Sequence, residues 1–283
     1  MRDPILIICL AFSGWAAGGQ LENAKHLYSL TDFQRSLNVL HDISLKNAEV
    51  YELMGRNYYM LSDFRNASDA FEKAFNEQPS SSEYALWLAR SFGRRAETSN
   101  IFTAPGFASK ARQFFERAAA LNPRNVEALT DLFEYYLDAP GFLGGGFDKA
   151  QRVAGLIQQV DASEGHWAMF RLAEQHKDYS RAEEQLRRAV EAAPRQIGKL
   201  IDLARFLAKQ GRYREADESI DRAEKVAPDS PRLVFVRADI YIKTGRNLDQ
   251  ARSLLERYLG LSLTPDDPPR ADAARLLRKL SGG

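Results

Sequence analysis

The chain has 283 residues, 45% hydrophobic and 27% charged, a balance that excludes a wholly disordered polypeptide and allows two compact domains or one elongated array. Thirty-nine basic against 38 acidic residues leave a formal charge of +1. No global field therefore directs the protein to nucleic acid or an anionic membrane, and any charge selectivity is local.

The N-terminus reads MRDPILIICLAFSGWAAGGQ, with one Arg, an apolar run from Ile5 to Phe12 and small residues from Ala16 to Gly19. That order is the order of a secretory signal, removed by cleavage, over residues 1–19, and it places the mature protein outside the cytoplasm, in a periplasm or secreted. The run is shorter than the ~20 residues that span a bilayer as a helix. An apolar helix capping the first structural unit is the alternative. Cleavage would also remove Cys9, the one cysteine, and with it any disulfide or thiolate chemistry.

From residue 20 onward one frame repeats. In NASDAFEKAFNEQP, Ala67 is followed by Phe71, Ala74 and Pro79; the same offsets give Ala111, Phe115, Ala118 and Pro123, then Ala182, Leu186, Ala189 and Pro194, then Ala216, Ile220, Ala223 and Pro228. Weaker copies start at Ser36, Ala150 and Ala251. Upstream of Ala67, Tyr51, Met54, Gly55 and Tyr58 fall on one helical face, as do Leu200, Leu203, Ala204 and Leu207 upstream of Ala216. Each unit is thus a helix A, a short turn and a helix B. Small residues mark where two backbones nearly touch, and the bulky ones fill the adjoining gaps.

Local signals agree with this parsing. Ser80 stands three residues before Glu83 as a capping box, and Ser230–Pro231 offers an N-cap followed by proline. Gly211 and Gly245 lie where helix A reverses into helix B and φ turns positive. The third and fourth units are longer than the rest, and each carries APGF, at 104–107 and 139–142, ahead of its alanine anchor. Two inserted inter-helix connections of one design are expected near 94–109 and 138–148, with Pro fixing φ, Gly permitting reversal and Phe available to plug a neighbouring helix. Side by side, they would form a lip of Phe102, Phe107, Phe142, Leu143 and Phe147 suited to docking; loops merely tolerated at an edge are the alternative.

Gly141 to Gly146 has the glycine spacing of a phosphate loop. However, Phe147 and Asp148 occupy the places of the Lys and hydroxyl that such a loop needs, and the preceding segment has helical period instead of a strand's. Nucleotide binding is not expected. After the seventh unit, TPDDPPRADAARLLRKLSGG offers prolines and a last amphipathic helix, and residues 266–283 form a capping segment with Leu276, Leu277 and Leu280 inward.

The pattern carried by Tyr51, Gly55, Tyr58, Ala67, Phe71, Ala74 and Pro79 resembles the tetratricopeptide repeat family over residues 20–265. The APG…GGG…KA elaboration is similar to that of some exported bacterial members. The resemblance implies an all-α, right-handed α-solenoid of about seven helix-turn-helix repeats with a C-terminal capping helix. It implies a non-catalytic protein–protein interaction scaffold, without cofactor or metal, that binds a protein or peptide through its concave groove or the loop lip; an accessory subunit of an envelope export, polysaccharide or solute-uptake system is the alternative. A membrane would be met only through a partner or an uncleaved signal.

In this family the groove is lined from helix A. Position 9 reads Lys25, Arg56, Arg90, Glu134, Arg171, Arg205 and Asp239, while position 2 reads Glu49, Glu83, Glu127 and Glu164. Two readings stay open. One is a ladder of salt bridges between adjacent helices. The other is a basic track for an acidic segment, with Tyr28, Tyr59, Trp167 and Phe235 as stacking faces and Arg gripping carboxylates with its planar fork. The candidate partner-binding residues are Arg56, Tyr59, Arg90, Trp167, Arg171 and Arg205 in the groove and Phe107, Phe142 and Phe147 on the lip. Glu52, Arg56 and Tyr59 depart from the family's chaperone-tail clamp. Phe133 and Phe170 stand where a small residue is expected, so the helices there splay or the register shifts. The four histidines, His26, His41, His166 and His176, lack partners at metal-ligand spacing.

Overall fold

A computed structural model of the chain describes residues 18–281. Of the expected export signal only Gly18 and Gly19 are included, and Cys9 lies outside the described residues. Among the described residues there is no strand, and no helix is long and apolar enough to cross a membrane. The chain forms two compact units, divided after Gly146.

The first unit holds α1 (residues 18–29), α2 (Phe33–His41), α3 (Ala48–Met60), α4 (Phe64–Glu77), α5 (Ser82–Thr98), α6 (Ala104–Leu121), α7 (Val126–Asp138) and a 3-10 turn, Gly141–Leu143. The second holds α8 (Phe147–Val160), α9 (Ala162–Gln175), α10 (Tyr179–Ala192), α11 (Ile197–Lys209), α12 (Tyr213–Val226), α13 (Pro231–Thr244), α14 (Leu248–Leu259) and α15 (Arg270–Ser281). Neighbouring helices pack as pairs: α3 with α4, α5 with α6, α9 with α10, α11 with α12, and α13 with α14.

All seven repeat anchors, Ser36, Ala67, Ala111, Ala150, Ala182, Ala216 and Ala251, are fully buried. The close approach behind the pattern is explicit at Gly55, where a Cβ would sit 2.8 Å from the Phe71 ring. At Phe170 the sizes are exchanged. The bulky residue is on helix A, and the smaller Leu186 replaces the helix B aromatic; both belong to one buried cluster. The interface is filled from the other side, so the frame holds without a small residue there.

The turn from helix A to helix B is one device used repeatedly. Thr31, Ser62, Lys177, Gly211 and Gly245 each take positive φ, between 58° and 76°. In three of these turns an aspartate is next, and Asp32, Asp63 and Asp178 accept from the backbone N–H groups of Arg35, Asn66 and Arg181 to cap helix B. The two glycine turns lack that aspartate, and at the first of them Arg212 supplies no side-chain cap. Buried serines add matched latches: the Ser82 hydroxyl donates to the Ala118 carbonyl at 2.9 Å and Ser163 to Ala189 at 2.8 Å, each joining helix A to helix B of one pair.

Three local expectations change. Ser81, not Ser80, caps α5 by accepting from the Tyr84 N–H, so Glu83 makes no capping box, and its carboxylate accepts instead from Arg56 of α3 and Trp87 of α5. Ser230 and Pro231 open α13 without a side-chain bond from the serine. The extra length near 94–109 is helix, not an inserted loop: α5 and α6 are extended to 17 and 18 residues and joined over 99–103. APGF at 104–107 is the first turn of α6, with proline at the helix start, whereas APGF at 139–142 leaves α7 and bends into the 3-10 turn. The residues C-terminal to each copy decide its conformation: ASKARQFF propagates a helix, and three glycines do not.

Those glycines serve architecture. Gly144 has φ +90°, a Cβ on Gly145 would lie 1.8 Å from the Ala139 carbonyl oxygen, and the Gly146 N–H donates to the Tyr136 carbonyl at 2.8 Å. The segment folds back on the end of α7 and satisfies a carbonyl that the helix leaves open. At the other terminus, α15 packs Leu276, Leu277 and Leu280 against the buried Leu255 and Tyr258 of α14, and the Tyr258 hydroxyl donates to the Pro268 carbonyl.

Candidate functional site

In the first unit the salt-bridge ladder is present. Lys25 meets Glu49 at 2.7 Å, Arg56 meets Glu83 at 2.9 Å and Arg90 meets Glu127 at 3.2 Å. Each pair links helix A of one repeat to helix A of the next. All three cations are doubly held, Lys25 also by Glu22 at 2.7 Å, Arg56 also by Glu52 and Arg90 also by Asp131 at 2.5 Å. Burial pushes the Asp131 and Glu52 carboxyls above their usual range, against the pull of their arginines. The fourth expected rung is different: Glu164 pairs with Lys199 at 2.8 Å.

Trp87, which is not among the candidate residues read from the repeat positions, is the hub of this face. The guanidinium groups of Arg56 and Arg90 lie 4.6 and 4.9 Å from its ring centroid. Its indole N–H donates to Glu83 at 2.8 Å, Phe71 stacks on it at 5.7 Å, and Tyr59 meets it edge-on at 5.4 Å. Arg56, Tyr59 and Arg90 are therefore brought together, but around a tryptophan and four carboxylates.

Beside them a cavity of about 570 Å³ opens between α5, α6 and α7. Tyr59, Phe115, Tyr135, Pro140 and Leu143 supply its apolar walls. The Tyr135 hydroxyl lies 3.0 Å from the Ala108 carbonyl and 2.9 Å from that of Leu143, tying the start of α6 to the glycine segment.

The five-residue lip is reduced. Phe107 stacks on Phe92 at 6.3 Å with Arg95 4.1 Å from its ring, and Phe147 sits edge-on to His176 at 4.2 Å. Both serve packing, as a plugging Phe should, while Leu143 lines the cavity. Phe102 and Phe142 stay open, 87% and 83% exposed, and Ile101 joins them at 80%.

In the second unit three of the predicted residues do converge. Trp167 and Arg171 from α9 and Arg205 from α11 line one pocket of about 270 Å³ with Phe170, Phe206 and Lys209. Arg171 lies 5.4 Å from the Trp167 ring centroid, and the indole N–H donates to Asp202 at 3.0 Å. Burial raises the Asp202 carboxyl above its usual range, opposed by Lys199 and Arg205. Lys209 pairs with Glu174 at 2.9 Å. Arg171, Arg205 and Lys209 stand in the lining beside Glu174 and Asp202. Phe235 and Asp239 are instead buried, so they offer no stacking face or groove charge. Among the described residues no three His, Cys, Asp or Glu side chains are grouped to hold a metal ion.

Residues 173–240, a span that includes this pocket's α11 wall, match the Tetratricopeptide repeat family model. No curated protein sequence matches the chain. Among solved structures, the chain is similar to a tetratricopeptide repeat protein from Parabacteroides merdae, with TM-score 0.58 and 14% identity over 95% of this chain and 100% of that one. It is also similar to a thermophilic TPR protein of Thermus thermophilus, with TM-score 0.53 and 17% identity over 71% and 98%. The Cut9–Hcn1 hetero-tetramer of APC/C matches with TM-score 0.50 and 15% identity over 91% and 48%. At these identities the likeness is one of fold.

Proposed function

We propose that this chain works as a tetratricopeptide-repeat interaction scaffold with no chemistry of its own, holding a partner protein by an acidic segment in the pocket of the second unit. The observation that carries this reading is the convergence of Trp167, Arg171 and Arg205 on one concavity. Arginine's planar fork grips both carboxylate oxygens, and an aromatic wall gives the segment's carbon skeleton a surface to lie on. The pocket is smaller than the roughly 300–1,000 Å³ of sites that enclose a ligand. It suits one acidic side chain, with the rest of the partner spread over neighbouring helix surfaces.

The test is a titration of a fluorescein-labelled, glutamate-rich peptide into wild-type protein and Arg171→Glu/Arg205→Glu. Binding weakened at least about tenfold in the variant supports the reading; equal binding contradicts it. The signal-like order of residues 1–19 supports a place outside the cytoplasm. Fusing those residues to a reporter active only after export tests this, and a silent reporter opposes it.

A further inference from the structure

Arg95, near the end of α5, is held differently from its neighbours. Arg56, Arg90 and Arg94 each bond a carboxylate, whereas among the described residues Arg95 and Arg65 pair with none. The Arg95 guanidinium lies 4.1 Å from the Phe107 ring centroid and 5.7 Å from that of Phe92, and its Nη1 donates to the buried Ser68 hydroxyl at 2.7 Å. The same hydroxyl donates to the Arg65 carbonyl at 2.8 Å. Ser68 therefore ties the Arg95 cation to the first turn of α4, where Arg65 stands.

Around these groups opens a cavity of about 330 Å³, within the size of sites that enclose a ligand. It is lined by both arginines, Phe107, Ser62 and Ser99 and, among the described residues, by one carboxylate, Asp63. Asn66 occupies both oxygens of that carboxylate, Oδ1 through its backbone N–H at 3.1 Å and Oδ2 through its side-chain amide at 2.6 Å. Asp63 thus caps α4 and leaves the two guanidinium groups without an anion. Arg95 is fixed in place by the ring and the serine, and the N–H groups it does not spend on Ser68 are left for a ligand, as are those of Arg65. A phosphate group suits this donor set better than a carboxylate, because at pH 7 it carries about −1.5 to −2 charge and three acceptor oxygens, enough for two guanidinium forks and a serine hydroxyl together.

We propose that this cavity binds a phosphate monoester group, with Arg95 as the fixed fork, Arg65 as the second and Ser62 or Ser99 supplying a hydroxyl. The group arrives either on a phosphorylated side chain of a partner or on a small phosphate ester, and the chemistry that recognises it is the same. The site lies apart from the second unit's pocket and is independent of whether that pocket binds.

Three fluorescein-labelled nine-residue peptides of glycine and alanine, differing only in a central phosphoserine, glutamate or serine, are titrated into the full chain by anisotropy. The phosphoserine peptide is expected to bind at least about tenfold more tightly than either of the others. Arg65→Gln, a change at an exposed position, should weaken it roughly fivefold or more, and Arg95→Gln at least as much. Arg171→Glu/Arg205→Glu should leave it within about twofold of wild type. Displacement by inorganic phosphate at about 10 mM supports a site that recognises the group alone, and displacement only by the unlabelled phosphoserine peptide supports one that also holds the partner's chain. A glutamate or serine peptide as tight as the phosphoserine one would overturn the proposal, as would no phosphoserine-peptide binding at about 1 mM, an unchanged affinity in Arg65→Gln, or loss of binding in Arg171→Glu/Arg205→Glu. The wild-type comparison needs no variant to fold, and far-UV circular dichroism checks those that are used.

Discussion

Replacing Gly145 by alanine separates an architectural glycine segment from a tolerated loop. The added Cβ would lie 1.8 Å from the Ala139 carbonyl oxygen and 2.6 Å from its carbon. Both are backbone atoms, so no rotamer change relieves the overlap and the segment must lift off the end of α7. Lifting breaks the 2.8 Å bond from the Gly146 N–H to Tyr136 and the 3.3 Å bond from the Gly145 N–H to Pro140. It also pulls the Leu143 carbonyl from the Tyr135 hydroxyl. At about 1 kcal/mol for each bond, the variant should lose roughly 2–3 kcal/mol, or about 5–10 °C of melting temperature for a unit of this size. Gly141 is the control: a Cβ there meets nothing within 4 Å, so Gly141→Ala should stay within about 0.5 kcal/mol of wild type. Thermal unfolding by circular dichroism, with hydrogen exchange over residues 139–147, reads both. If Gly145→Ala melts with wild type, or Gly141→Ala is the more damaged, the close-approach account is wrong.

Lys177 holds φ at +58° in the turn between α9 and α10, a conformation costing a side chain about 1–2 kcal/mol. Against glycine's entropy in the unfolded chain, Lys177→Gly should stabilise by roughly 0.5–1 kcal/mol in urea unfolding; a loss would contradict this. Arg90→Glu should cost about 2–3 kcal/mol, because Arg90 and Asp131 are only 22% and 20% exposed and the change leaves carboxylates facing one another. Lys25→Glu, in the half-exposed first rung, should cost under about 1 kcal/mol, and equal costs would refute the distinction. In the second unit, burial raises the Glu183 carboxyl but its bonds from Arg212 and Arg187 outweigh it, leaving it below the usual 4.5; Glu215 is lowered first by its bond from Arg212. Depressed carboxyls stabilise fully above their unfolded value and lose that contribution as pH falls through the folded one. The wild-type melting temperature should therefore fall more steeply below pH 4.5 than that of Arg212→Ala; parallel curves would contradict the linkage.

The repeat was legible because its cause is local and recurrent. Ala67, Ala111, Ala182 and Ala216 are small where backbones approach, and the same offset carries the bulky partner each time. The rungs from Lys25, Arg56 and Arg90 came from the same frame, since repeat position fixes which face of helix A a residue occupies. The lengthened units escaped it. A fixed offset cannot tell a longer loop from two longer helices, and APGF has no conformation of its own until the residues after it are helix formers or glycines. Trp87, Asp131 and Tyr135 were missed because their roles depend on contacts between helices: Asp131 matters through Arg90, 41 residues away in the chain, and Tyr135 through Ala108 and Leu143. Trp87 had one local sign, an aromatic four residues after Glu83 and three before Arg90.

Hydrogen exchange of the full chain, with and without a saturating glutamate-rich peptide, tests the scaffold account most directly. Protection gained in α9 and α11, where Trp167, Arg171 and Arg205 line the pocket, and absent from Arg171→Glu/Arg205→Glu, is the predicted result. Protection elsewhere, or protection that survives the charge reversal, would contradict it.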